Sequence, residues 1–78
     1  MERPTKKEIE TRLRNKIKEA KKDYGLPATK IAKELNISVI TIYNFVAGNQ
    51  SLSINTIIEI NNFIDQWKDN FNKLCIGL

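Results

Sequence analysis

Between residues 5 and 23 the apolar residues Ile9, Leu13, Ile17 and Ala20 recur at spacings of four, four and three, and every side chain between them is polar or charged. That period sets all four on one side of a helix. Tyr24-Gly25-Leu26-Pro27 ends it: glycine supplies a left-handed C-terminal cap, and proline pushes the residue before it out of helical conformation. Pro27 can open the next helix, because its missing N–H costs nothing there. Ala28, Ile31, Ala32 and Leu35 then follow three-and-four spacing, which predicts a second helix of about two turns. Asn36, the non-glycine residue that best tolerates the left-handed region, stops it, and Ile37 turns back toward the core. Ser38 is a suitable N-cap for a third helix over residues 39–47, closed by Gly48. Its inward positions are Ile42, Phe45 and Val46. At 100° per residue, Ile40, Asn44 and Ala47 point the other way, with Thr41 and Tyr43 on the flanks.

Asn49-Gln50-Ser51-Leu52 reads as a loop, and Ser53 as the N-cap of a fourth helix. Ile54, Ile57, Ile58, Ile64, Trp67, Phe71 and Leu74 keep a helical period to the end of that segment. Either one helix of about five turns runs through it or two helices meet in a bend at Asn61-Asn62, a pair of poor helix formers; the continuous helix is favoured. No strand is expected, since the β-branched run over residues 37–42 does not alternate and is bracketed by cap residues. The fold class is all-α: one domain over residues 1–78, a small bundle of four to five helices, with a paired motif over about 28–47 and a helical extension over about 54–75.

Composition narrows the function. Seventy-eight residues are too few for two cores or a large enzyme fold. No apolar run approaches the roughly eighteen residues of a membrane span, and Met1-Glu2-Arg3-Pro4 does not lead into a secretory segment, so a cytoplasmic protein with no membrane partner is expected. The chain has one cysteine, Cys75, and no histidine, which rules out an internal disulfide, the usual zinc sites and every His-dependent triad. Cys75 reads as a small apolar residue on a terminal turn. Asp65 and Asp69 share a helical face, but Asp69 stands four residues before Lys73 in the favourable order for a surface ion pair, and no base, nucleophile or metal ligand accompanies them. Neither enzyme activity, cofactor, metal nor small-molecule substrate is expected.

Charge is uneven along the chain. Residues 1–35 hold eleven Lys and Arg against six acids, a balance of +5, while residues 36–78 hold Lys68 and Lys73 against Glu59, Asp65 and Asp69, a balance of −1. Such asymmetry points to a polyanion on one side, against the plainer reading of a solvated lysine-rich helix.

The segment from Ile31 to Gln50 resembles the helix-turn-helix of the Cro/C1-type (XRE) repressor family, the small regulators of phages and mobile elements. The resemblance covers roughly residues 26–60. It is carried by Ile31-Ala32, Leu35, Asn36, Ile37-Ser38, Ile42, Phe45 and Gly48, followed by Ser53-Ile54 and Ile57. Each has a physical role: Ala32 is small enough for the third helix to cross closely, Asn36 makes the sharp turn, and Ile37 with Ile42 pins the pair so that the second helix of the motif can enter a major groove. The resemblance implies a lambda-repressor-like DNA-binding domain and double-stranded DNA as partner. The chain departs from the family pattern at Ala28, where a phosphate-binding Gln is usual; at Asn36, usually Gly; at Val46, commonly Glu; and at Asn49-Gln50, where Lys or Arg commonly follows the glycine. Lys30, Lys33 and the basic faces of the first helix are then left to supply the electrostatic anchor.

In that reading Val39, Ile40, Thr41, Tyr43 and Asn44 face the bases, and Thr29, Lys30, Lys33, Ser38, Asn49 and Gln50 the phosphates. Val39 and Ile40 can only pack on thymine methyls and Asn44 can pair with adenine, so an A·T-rich operator is expected. Two alternatives stand beside it. Val39 and Ile40 are also suited to burial against the protein itself or a partner protein, and Tyr43 either bonds a phosphate or packs beside its helix. A helix-turn-helix used as a protein-binding module, antirepressor-like or antitoxin-like, is therefore the competing function. Trp67, Phe71 and Leu74 are read as a homodimer interface suited to an inverted-repeat operator, the alternative being packing onto the first helix over Ile9 and Leu13.

Overall fold

The computed structural model describes residues 5–76, with side-chain surroundings through residue 74, so the expectations for Met1-Glu2-Arg3-Pro4 and for the Cys75 side chain lie outside the described residues. Those residues form four helices and no strand: α1 (Lys6–Tyr24), α2 (Ala28–Leu35), α3 (Val39–Val46) and α4 (Ile54–Ile76). None of them is long and apolar enough to cross a membrane.

Thr5 caps α1, its Oγ1 accepting from the Glu8 N–H at 3.2 Å. At the other end Gly25 takes φ 62°, and the N–H groups of Gly25 and Leu26 both turn onto the Ala20 carbonyl. The turn drives Leu26 into the core, where it is completely buried, although its segment reads from sequence only as a break. Pro27 lies one residue earlier than predicted: it is the N-cap of α2 in extended conformation, and Ala28 is the first helical residue.

The turn between α2 and α3 is Asn36-Ile37-Ser38. Asn36 is left-handed, with φ 57° and ψ 44°; its N–H donates to the Lys33 carbonyl and the Ile37 N–H to the Ala32 carbonyl. These are the two bonds of a Schellman ending, and the chain leaves α2 in one direction only. Gly48 at φ 84° ends α3 in the same way, with its own N–H on the Phe45 carbonyl and the Asn49 N–H on the Asn44 carbonyl.

Four helices meet in one core of Leu13, Ile17, Ala20, Leu26, Ile31, Ala32, Ile42, Phe45, Leu52, Ile57, Ile60 and Ile64. Fully burying each large member contributes about 1.5–3 kcal/mol. In α4 the apolar period is offset from its predicted centre. Ile57 and Ile64 are buried as expected, but Ile54 and Ile58 remain exposed, while Ile60 is completely buried. Ile60 lies within about 60° of both Ile57 and Ile64 around the helix, whereas Ile58 is about 100° off on the opposite side and passes the edge of α1. Leu52 likewise tucks under the bundle from within the predicted loop.

α1 and α4 run in the same direction side by side. Lys16 pairs with Asp65, Glu19 with Lys68, and Tyr24 meets Phe71, so residue numbers rise together along the seam. α4 is continuous through Asn61-Asn62. The half-buried Asn61 side chain is held toward α1 by the Lys16 ammonium, which donates to its Oδ1 at 2.7 Å, and a side chain so engaged does not compete for the helix backbone.

Candidate nucleic-acid interface

α3 is eight residues long and has no charged side chain. Ser38 starts it, its Oγ accepting from the Ile40 N–H at 3.2 Å. Ile42 and Phe45 anchor its inner side in the core, and Val46, predicted inward, is half-buried against it. On the outer side Ile40 is 64% and Tyr43 53% exposed. Thr41 is half-buried on a flank as expected, but Asn44, expected to point outward, is half-buried too, while Tyr43, expected on a flank, takes the exposed position. With Ile42 and Phe45 both inward, the buried side centres between them and brings Tyr43 as far from the core as Asn44. Val39 packs partly against the core, which separates it from Ile40: of the two apolar residues proposed as base readers, Ile40 alone projects fully.

The six residues assigned to phosphate contact, Thr29, Lys30, Lys33, Ser38, Asn49 and Gln50, are all exposed. Thr29 and Lys30 sit in the first turn of α2 and Lys33 in its last, Ser38 caps the start of α3, and Asn49 and Gln50 lie in the loop after it. Lys33 has no ion-pair partner among the described residues; Lys30 also has none, but its ammonium stands 5.5 Å from the centre of the Trp67 ring. α2 begins without a side-chain cap, so first-turn N–H groups beside Thr29 remain for an outside acceptor. On α1, Lys16 is paired on the α4 side, whereas Lys7, Lys18 and Lys21 fall by helical rotation on the flank that carries Arg14. They have no ion pair among the described residues.

Arg14 reaches α3 directly. Its Nε donates to the Phe45 carbonyl at 2.6 Å and its guanidinium lies 4.7 Å over the Phe45 ring. Glu10, one turn earlier and 5% exposed, accepts from Arg14 at 3.2 Å and from the Ser51 hydroxyl at 3.1 Å. Sequence reasoning passed over this cluster. Its signal was there: Glu10, Leu13 and Ile17 are spaced three and four apart, so an acid occupies a core-facing position with a basic residue four residues on.

At the far end of α4, Trp67 Nε1 donates to the Tyr24 carbonyl at 2.7 Å and the Phe71 ring meets Tyr24 edge-on with centroids 5.2 Å apart. The intramolecular contact of these residues is therefore with the end of α1, not with Ile9 and Leu13 as the alternative supposed, because the two helices run parallel. Ile9 and Leu13 instead line a groove with Ile57, Ile58 and Asn61. Leu74 is 71% exposed and Phe71 keeps an open edge.

Compared with family models, curated proteins and solved structures, the chain matches none of them.

Proposed function

We propose that this chain is a sequence-specific DNA-binding transcriptional regulator of the Cro/C1-type kind, a phage or mobile-element repressor that acts by occupying its operator. One observation carries the reading. A short uncharged helix with Ile40, Tyr43 and an edge of Asn44 turned outward is framed by the exposed residues Thr29, Lys30, Lys33, Ser38, Asn49 and Gln50. A charge-free reader inside a frame of donors and cations suits a duplex: phosphate contacts fix position, and groove contacts select sequence. Asn44 would pair with adenine N6 and N7, and Ile40 would pack on a thymine methyl, favouring A·T-rich sites.

The operator in this proposal is an inverted repeat bound by a homodimer. Leu74 and the open edge of Phe71 supply the apolar surface for the second copy, while Trp67 supports that surface from within through its bond to Tyr24. Two copies would present their α3 helices about 34 Å apart on one side of the duplex. Leu74→Glu should then yield a folded monomer in sedimentation, with weaker binding to a full operator and unchanged binding to a half-site.

Selection of bound sequences from random duplexes, with affinity measured across salt, tests the whole reading. A consensus with a steep fall of affinity as salt rises supports it. The competing reading, a protein-binding module, is favoured by the exposure of Ile40 and Tyr43 and by the absence of Lys and Arg from α3 and from the loop after it. A flat salt response with no consensus would move the function there.

A further inference from the structure

Among the described residues Glu10 is the one buried charged side chain, and nothing in the proposed DNA contact uses it. Its place in the fold is informative. α3 has no basic residue in its last turn, so the partial negative charge at its C-terminus is unmet from within. Arg14 brings the missing cation from α1, and does so at the Phe45 carbonyl, which also accepts the Gly48 N–H that ends the helix. The other guanidinium arm is held by Glu10, and Glu10 in turn holds Ser51, two residues before the cap of α4. One buried carboxylate thus ties α1 to both the end of α3 and the loop that follows it.

We infer that Glu10 and Arg14 are a positioning pair that fixes the orientation in which α3 is presented, and that they govern discrimination between ligand sequences rather than overall affinity. The inference rests on the DNA-binding reading for the second half of that statement only. Eight residues are too few for a helix to hold its own shape, so α3 depends on its neighbours for direction. α2 fixes its beginning through the Asn36-Ile37-Ser38 turn. The pair on α1 fixes its end. Base readout depends on the angle of the reader, whereas phosphate attraction tolerates small rotations, so loosening the end of α3 lowers the first and spares the second.

The test replaces both members, Glu10→Gln with Arg14→Met, which leaves net charge unchanged and avoids stranding one buried charge. A milder variant, Ser51→Ala, removes only the loop contact and keeps the question open should the double variant unfold. Hydrogen exchange is read first, without any ligand. The Gly48 and Asn49 amides should exchange faster, on the order of tenfold, as expected for losing one charge-assisted hydrogen bond, while amides in the middle of α1 and α4 stay protected. Unchanged exchange at Gly48 and Asn49 in a folded variant overturns the pair as a positioning device. The ratio of affinities for the selected operator and for random duplex is read second, and it should fall by a similar factor with the slope against salt preserved. Faster exchange with an unaltered ratio removes the role in discrimination. Faster exchange in a chain whose unmodified form binds no duplex leaves the positioning pair standing and defeats the DNA reading alone.

Discussion

The α1–α4 seam and the α2–α3 pair are built from the same kinds of residue and treat them in opposite ways. Along the seam, charges are consumed: Lys16 is met by Asp65 and Asn61, Lys68 by Glu19, and Lys68 also lies 5.2 Å from the Tyr24 ring centre. In the α2–α3 pair Lys33 is unmet among the described residues, Lys30 has only an aromatic face, and α3 spends its exposed positions on Ile40 and Tyr43. Polar groups already satisfied inside a chain have little left for a ligand, whereas unpaired donors and projecting apolar side chains do. The contrast separates a surface made for holding the bundle together from one available for contact.

The largest test of that contrast lies within α3 itself. Phe45 is wholly buried, and Phe45→Ala should cost roughly 3–5 kcal/mol, which approaches the entire stability of a domain this small. Ile40→Ala, five residues earlier, should change stability by no more than about 0.5 kcal/mol while lowering the preference for a thymine. Urea denaturation of the two variants measures the difference. Similar losses in both would mean that Ile40 is part of the core and α3 has no free face.

Next in size is the residue proposed as direct reader. Asn44→Ala should weaken binding to the preferred operator by about 1–3 kcal/mol and relax choice at one position in each half-site, with non-specific binding nearly untouched. Repeating the sequence selection with the variant shows whether one position alone is lost. A uniform loss at every position would instead assign the half-buried Asn44 side chain to shaping α3 rather than to reading a base.

The helices themselves were legible because each carries its own punctuation. Gly25, Asn36 and Gly48 all adopt the left-handed conformation, and Ser38 and Ser53 cap as the sequence suggests. What escaped was long-range. Leu26 and Leu52 lie in breaks between periodic segments, so no period marks them as core. The exchange of Ile58 for Ile60 depends on where α1 happens to pass, and a single helix's pattern does not contain its neighbour's position. The Glu10–Arg14–Ser51 cluster joins residues 41 apart in the chain, a contact that spacing within α1 could flag but not complete. In the candidate site, rotation alone places Ile40 and Ala47 outward but misses one exchange: Tyr43, expected on a flank, is exposed, and Asn44, expected outward, is half-buried. The same rotation separates half-buried Val39, about 60° from Ile42 around the helix, from projecting Ile40 at about 160°, although the base-reading assignment grouped the two.

A smaller effect is expected from the cations of the frame. Lys33→Ala removes one exposed charge that has no ion pair among the described residues, so it should weaken all duplex sequences by a similar factor and reduce the slope of log affinity against log salt by about 0.9, the contribution of one phosphate. Titrations on operator and random duplex at several salt concentrations check both numbers. A loss confined to the operator would turn Lys33 from anchor into reader.

The smallest effect belongs to the seam, and its smallness is the point. The Lys16 side chain is 24% exposed and that of Asp65 57%, so water screens the attraction between them and the long lysine side chain loses freedom to make it. A double-mutant cycle with Lys16→Met and Asp65→Asn should return a coupling of about 0.2–1 kcal/mol that shrinks as salt is added. Lys16→Met alone should lose somewhat more than the coupling, because the ammonium also donates to Asn61 and its removal frees that side chain to compete for the backbone of α4. Duplex affinity and its salt slope should stay as they are in both single variants, since a charge already neutralised by its neighbour releases few counterions from a phosphate. If Lys16→Met flattened the salt slope as much as Lys33→Ala, the ion pair would have to open on binding. The seam would then belong to the contact surface, and the division between the two regions would fail.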